Sequence, residues 1–195
     1  MKLIFATNNQ HKINEITAVI KNNISIITLK EAGIDIDIPE PHNTLEENAA
    51  EKAKVIHKLT NENCFSEDTG LEVFALNGEP GVKSARYAGE EKSDKKNIEK
   101  LLENLKEEPN RNAQFKTIIY LILNSREHMF EGICKGAITI APKGSSGFGY
   151  DPVFIPDGAL KSFAEMDIYE KNRYSHRRKA TDKLVAFLNN LDENS

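Results

Sequence analysis

No apolar run in this 195-residue chain approaches the length that spans a membrane, so an integral membrane protein is not expected. The opening Met1-Lys2-Leu3-Ile4-Phe5-Ala6 is too short for the apolar region of a signal peptide, and Asn8 and Asn9 interrupt it. Cysteine is scarce. Cys64 and Cys134 both lie in apolar, strand-like contexts, which reads as buried thiols in a reducing cytosol rather than a disulfide or a metal pair. Positive charge is not in excess. A formal net charge of −4 argues against nucleic acid or a membrane surface as the main partner. An aromatic-basic surface stripe of the RNA-binding kind is also missing. Local basic clusters can still hold a small polyanion. Repeats, low-complexity tracts and linkers are absent, so the expectation is a single domain over residues 1–195 in the cytoplasm. Hydrophobic content of 39% and charged content of 29% suit a globular chain with a sizeable core.

Leu3 to Ala6 reads as a fully buried strand opening into a Thr7-Asn8-Asn9-Gln10 turn. Ile13, Ile16, Val19 and Ile20 follow at helical spacing, and Ser25 to Leu29 reads as a second strand. This β-turn-α-β opening predicts an α/β fold with parallel pairing. Ile34 to Pro41 alternates apolar residues with acids and then meets prolines, as a loop rim does. Thr44 with Glu47 is a capping-box signature for a helix to about Leu59. A helix capped near Ser93 ends before Pro109. Ala113 to Leu123 and Phe130 to Ile140 read as an antiparallel hairpin joined by a short polar connector. The tail from Ala164 to Leu191 reads as two helical pieces broken near Tyr174-Ser175.

The chemistry-bearing residues fall at turns and helix starts. Ser66-Glu67-Asp68-Thr69-Gly70 lies between the apolar pair Cys64-Phe65 and a strand from Leu71 to Phe74. It predicts adjacent carboxylates at a strand end, with a turn glycine for close approach of a ligand. Such hard oxygen ligands suit magnesium, and an ionised Asp near an oriented water can take its proton. The alternative is a surface acid pair. Asp68-Thr69-Gly70 is also the aspartic-peptidase triplet, but no second copy exists to pair with it.

Thr7, Asn8, Asn9, Gln10, His11 and Lys12 stand between a buried strand and a helix start, where α/β proteins bind phosphate. The glycines of a Walker loop are absent, and an ordinary capped helix start explains the segment as well. Lys52, with Glu51 and Lys54 beside it, reads alone as a solvated helix lysine. Phe148-Gly149-Tyr150-Asp151 has an aromatic ring and an acid at a glycine turn, suited to a planar base or to a plain turn with a core aromatic. Ser175-His176-Arg177-Arg178-Lys179 reads as base or phosphate contacts, or as a basic solvated face.

Taken together these residues resemble the inosine triphosphate pyrophosphatase family, the house-cleaning triphosphatases of non-standard purine nucleotides. The resemblance rests on Phe5-Ala6-Thr7-Asn8-Asn9 with Lys12, Glu47-Asn48-Ala49 with Lys52, and Ser66-Glu67-Asp68-Thr69-Gly70-Leu71. It continues through Gly81 with Ser84-Ala85-Arg86-Tyr87, Gly147 to Pro152, Ala164-Glu165-Met166, and Glu170-Lys171-Asn172 with Ser175-His176-Arg177. These motifs run in the family's order across nearly the whole chain.

The resemblance implies hydrolysis of inosine, deoxyinosine or xanthosine triphosphate to the monophosphate and pyrophosphate, with Mg2+. It implies an elongated mixed β-sheet flanked by helices, two lobes with a central active-site cleft, and a homodimer. By the same resemblance Asp68 is the general base and a metal ligand, and Glu40 in the Ile38-Pro39-Glu40 rim is the other metal-associated acid. Thr7 to Lys12, Lys52 and Thr69 hold the triphosphate, and Phe148 to Asp151, Lys171, His176 and Arg177 read the base. Asn8 stands where the family more often has glycine; Asn tolerates a positive φ if that position needs one. Two other readings are a related pyrophosphatase for modified pyrimidine or other nucleotides, and a noncatalytic nucleotide-binding module. Base preference separates the first, and the presence of Asp68 and Lys12 counts against the second.

Overall fold

The computed structural model describes residues 1–20 and 24–192. The strands are β1 (Lys2–Phe5), β2 (Ser25–Thr28), β3 (Cys64–Val73), β4 (Pro80–Gly81), β5 (Asn112–Leu123), β6 (Arg126–Ile138) and β7 (Phe154–Pro156). The helices are α1 (Gln10–Thr17), α2 (Leu45–Thr60), α3 (Asp94–Asn104), α4 (Ile168–Asn172) and α5 (His176–Asp192). The sheet order is β2-β1-β3-β5-β6-β7, with β4 paired to β3. β1 runs parallel to β2 and β3, whereas β4 is antiparallel to β3 and β7 to β6. This is the expected mixed sheet flanked by helices. The chain divides into two compact units: unit 1 is Met1–Asp68, Thr117–Gly132 and Arg177–Ser195, and unit 2 is Thr69–Lys116 and Ile133–His176.

In unit 1 the period-two alternation of β1 is read on both faces. Leu3 and Phe5 pack with Ile16 of α1 and Ala180, Leu184 and Leu188 of α5. Ile4 and Ala6 pack with Ala53 and Ile56 of α2. A strand covered on both faces must be apolar throughout, which is why Leu3 to Ala6 is a continuous apolar run. Phe5 lies opposite Phe65 in the parallel register, and their rings stack at 4.3 Å. Unit 2 has its own core, in which Phe115 meets Phe154 edge-on at 4.7 Å and stacks on His176 at 4.5 Å.

Local signals placed the helix starts well. Asn9 caps α1 by accepting from the Lys12 N–H, Thr44 caps α2 by accepting from the Glu47 N–H, and Ser93 caps α3. The Glu47 carboxylate takes the Thr44 hydroxyl rather than a backbone N–H, so the reciprocal half of the expected capping box is not the usual one. The tail breaks between α4 and α5 at residues 173–175, as expected.

Two expectations need correction. Ser66 to Gly70 is not a strand end followed by a turn: β3 runs unbroken from Cys64 to Val73 through it. Gly70 is required by close backbone approach instead. A Cβ there would stand 2.6 Å from the Gly81 carbonyl oxygen on the paired β4. The hairpin is also tighter than expected, because β6 begins at Arg126 rather than Phe130. Asn124 and Ser125 alone connect it, both at positive φ (50° and 61°), which is the turn whose twist matches that of the strands. The largely exposed Arg126 to Met129 has a single apolar residue, Met129, and no alternation, so periodicity could not reveal it as strand.

Candidate active site

The alternation of β3 decides which cation each of its acids meets. Cys64, Ser66 and Asp68 face α2: the Cys64 thiol and the Ser66 hydroxyl donate to the carbonyls of Ala53 and Ala49. Burial behind that helix pushes the Cys64 thiol up to about 12. Two residues beyond Ser66, Asp68 meets Lys52, whose ammonium donates to Asp68 Oδ1 at 2.9 Å and to Glu40 Oε1 at 2.5 Å. The Lys52 and Asp68 side chains are 8% and 9% exposed, Glu40 30%. Lys52 is therefore not the solvated helix lysine of its local sequence. It lies on the buried face of α2 with Asn48, Ala49 and Ala53.

Burial opposes charge on Lys52, but Asp68 and Glu40 outweigh it and hold the ammonium above the usual lysine range. Asp68 is held above the usual carboxylate range by burial, with Glu40 adding to the effect and Lys52 and Lys12 opposing it. The Glu40 rim is brought to α2 partly by Asn48, whose side chain donates to the His42 carbonyl and accepts from the His42 N–H.

On the opposite face of β3, Glu67 is fully buried. Its carboxylate pairs with Lys12 at 3.1 Å and with Arg177 at 3.2 Å. Arg177 also pairs with Glu15, three residues beyond Lys12 on α1. Burial alone would weaken the guanidinium's charge; Glu67 and Glu15 reverse that and raise its pKa. Beside this network, Thr7 Oγ1 accepts from the Asn9 N–H, and Asn8 donates to the Ile36 carbonyl. Asn8 is not among the positive-φ residues, so its place in a glycine-preferring position costs no backbone strain. Gln10 bonds Asn14 along the helix, and His11 is exposed. Unit 1 thus gathers Lys12, Lys52, Glu40 and Asp68 about the β1–α1 turn and β3, and adds Glu15 and Glu67, whose pairing no local pattern announced.

Unit 2 holds the second cluster. Asp151 Oδ2 accepts from the Phe148 N–H at 3.0 Å and from Lys171 at 2.7 Å. Asp94, at the start of α3, accepts the Gly149 N–H at 2.6 Å. The Lys171 ammonium lies 5.4 Å from the Phe148 ring centroid and 5.3 Å from that of Phe163. Gly147 must be glycine, because at φ 78° its Cβ would overlap the Asp151 carboxylate at 2.1 Å. Tyr150 is buried and donates to the Ser84 carbonyl, and His176 is buried against Phe115. Phe148 is the half-buried ring of the group. Thr69 is half-buried on β3 immediately after Asp68. Asp94 was missed because a first-turn acid after a serine cap looks like any helix start.

Among the described residues no three His, Cys, Asp or Glu side chains gather as a metal cage. Nor is any helix among them long and apolar enough to cross a membrane. A Mg2+ ion that binds with its phosphate substrate needs only one or two carboxylates from the protein. Asp68 and Glu40, meeting on one ammonium, meet that requirement. Asp68 in particular is a buried carboxylate whose ionised form a divalent cation would favour.

The fold is an α/β architecture whose unit 1 brings Lys12, Lys52, Glu40 and Asp68 together beside β3. The chain belongs to the Ham1 family, whose model matches residues 3–187. It is 49% identical over 190 residues to a dITP/XTP pyrophosphatase of Flavobacterium psychrophilum, covering 97% of this chain and 100% of the relative. It is 51% identical over 188 residues to a dITP/XTP pyrophosphatase of Porphyromonas gingivalis, covering 96% and 97%. The structure of the Staphylococcus aureus Ham1 protein matches with a TM-score of 0.89 at 41% identity, over 97% of this chain and 99% of that one. A HAM1 protein from Coxiella burnetii matches with a TM-score of 0.90 at 35% identity, over the same shares of the two chains.

Proposed function

We propose that this chain is a nucleoside-triphosphate pyrophosphatase that removes dITP, ITP and XTP from the nucleotide pool. The products are the nucleoside monophosphate and pyrophosphate. The observation that carries this reading is 49% and 51% identity over nearly the whole chain to dITP/XTP pyrophosphatases, together with the Asp68–Lys52–Glu40 cluster.

In this reading Asp68 is the general base. It takes a proton from the water that attacks the α-phosphorus; the new O–P bond forms as the bond to the bridging oxygen breaks and pyrophosphate leaves. Asp68 and Glu40 would hold Mg2+, which neutralises charge on the triphosphate and the leaving group. Lys12, Lys52, residues Thr7 to His11 at the β1–α1 junction and Thr69 bind the phosphates, the lysines as point charges suited to a polyanion. Phe148, Gly149, Tyr150, Asp151, Lys171, His176 and Arg177 are assigned to the base. Phe148 stacks on it, and Asp151 and Lys171 hold the turn that carries Phe148, while Tyr150 anchors on the Ser84 carbonyl and His176 stacks on Phe115. Arg177 is the donor to the 6-oxo group: a guanidinium carries five N–H donors, and Glu15 and Glu67 keep it charged. A site built to donate there rejects an amino group, because its donors would be left unpaired. The protein acts in the cytoplasm as a homodimer, as its family resemblance suggests.

Pyrophosphate release from inosine, xanthosine, adenosine, guanosine and thymidine triphosphates, with and without Mg2+, tests this reading. Magnesium-dependent release restricted to the inosine and xanthosine nucleotides is expected. Broad or absent release would move the function to another nucleotide or to binding without hydrolysis.

A further inference from the structure

We propose that Lys52 is a built-in counter-cation. It occupies the Asp68–Glu40 pair in the nucleotide-free protein and leaves it, for the substrate phosphates, when a divalent ion binds. This rests on the assignment of Asp68 and Glu40 to a divalent cation.

The geometry supplies the argument. One ammonium nitrogen lies 2.5 Å from Glu40 Oε1 and 2.9 Å from Asp68 Oδ1. It therefore fills the space between those two oxygens, where it competes with any cation that binds them. Two of its three N–H donors are spent on the carboxylates. Both Lys52 and Asp68 are buried, so water cannot readily compensate either charge when the partner is withdrawn.

The choice of lysine matters. Its Cα is fixed mid-helix in α2, but a flexible four-carbon stem lets the ammonium move without disturbing the helix. The second buried cation of unit 1 is of the opposite kind. Arg177 presents a planar fork between Glu15 and Glu67, on the other face of β3. The cluster thus holds one rigid cation pairing and one that can exchange.

Two consequences follow from this arrangement. Metal binding to the nucleotide-free protein is weak, because a buried ammonium must be displaced. Nucleotide phosphates offer that ammonium a new partner, so metal and nucleotide each strengthen the other's binding, as reciprocal coupling requires.

Mn2+, a divalent ion with the same taste for oxygen ligands, serves as the probe, and its binding to the nucleotide-free protein is read by electron paramagnetic resonance. Lys52→Met should bind Mn2+ at least about tenfold more tightly than wild type, because the competing charge is removed from contact distance. Lys12→Met also removes a positive charge that acts on Asp68, but one whose ion pair is with Glu67 rather than with Asp68 or Glu40; it should gain less than about threefold. Adding Glu40→Gln to Lys52→Met should abolish the gain. If Lys52→Met does not fold, Lys52→Gln replaces it, since its amide still donates to a buried carboxylate. No gain in the folded neutral variant, or an equal gain from Lys12→Met, overturns the proposal. The metal assignment fails separately. In that case Asp68→Asn and Glu40→Gln would leave Mn2+ binding in the presence of a nucleotide unchanged. Should they weaken it while neutral Lys52 variants gain nothing, only the role given to Lys52 falls.

Discussion

Glu67 and Asp68 are adjacent on β3, yet their carboxylates answer to different cations. Glu67 pairs with Arg177 at 3.2 Å and Lys12 at 3.1 Å, and Asp68 with Lys52 at 2.9 Å. Neighbouring side chains on a strand point to opposite faces, so one step along the chain moves an acid from the α1 and α5 side to the α2 side. Two buried acids side by side in sequence are thereby kept from sharing one site.

Replacing Asp68 by Asn should reduce turnover by about 10²–10⁴-fold, the usual contribution of a positioned base. The amide oxygen can still accept from Lys52, so the fold and the nucleotide affinity measured without a divalent ion should persist. Single-turnover hydrolysis and calorimetric binding of inosine triphosphate measure the two separately. Near-normal turnover would remove Asp68 from the role of base.

The raised carboxyl of Asp68 has a consequence for stability in metal-free buffer. Its folded-state pKa lies above the unfolded value, so the folded state holds the proton more tightly. Stability contributed by the neutral form is present at low pH. It declines as pH rises from about 4 through the folded-state value. Asp68→Asn should flatten that decline in urea midpoints taken across the acidic range. Lys52→Met, which removes an opposing cation, should extend it to higher pH.

Arg177→Met leaves the buried Glu67 with Lys12 as its remaining ion pair of the two and takes away the charge facing Glu15. Breaking one side of a buried pairing costs about 3–5 kcal/mol. The urea midpoint should fall accordingly with an unchanged m-value. Arg177→Lys keeps the charge but not the fork. It should lose less stability while narrowing the preference for inosine over adenosine triphosphate, and an unchanged preference would take Arg177 out of base reading.

Gly70→Ala puts a methyl group against the Gly81 carbonyl oxygen, 2.6 Å from where the new Cβ must lie. Backbone oxygen cannot rotate away as a side chain would. The loss should be about 1–3 kcal/mol by chemical denaturation. No loss would mean that β4 gives way freely.

Asp94→Ala removes the acceptor of the Gly149 N–H. Because Asp94 is exposed, global stability should change by less than about 1 kcal/mol. The Gly149 amide should nonetheless exchange with solvent several times faster by hydrogen exchange. An unchanged rate would show that the turn is held without Asp94.

Much of the architecture was legible locally. Helix starts are written in short polar side chains one residue ahead of each helix, as at Asn9, Thr44 and Ser93, because the orphan N–H groups need an acceptor there. The buried β1 strand is written in its unbroken apolar run. The first residues of β6 were not legible, because an exposed, mostly polar strand looks like a loop until its partner is known. Gly70 looks like a turn glycine for the same reason: the backbone that crowds it belongs to a different strand.

The sequence by itself determined the mixed α/β framework, the caps, the break before α5 and the set of motifs that place the chain in its family. All depend on neighbours within a few residues or on a pattern of residue types. Only the tertiary structure decided what the charges do. Lys52 looks solvated in its own helix and is buried because β3 and the Glu40 rim close over it. Arg177 sits in a basic run and yet finds Glu67 and Glu15, 110 and 162 positions away. A buried charge survives only with a partner, and long-range partners are chosen by how strands and helices pack, which no local stretch of sequence records.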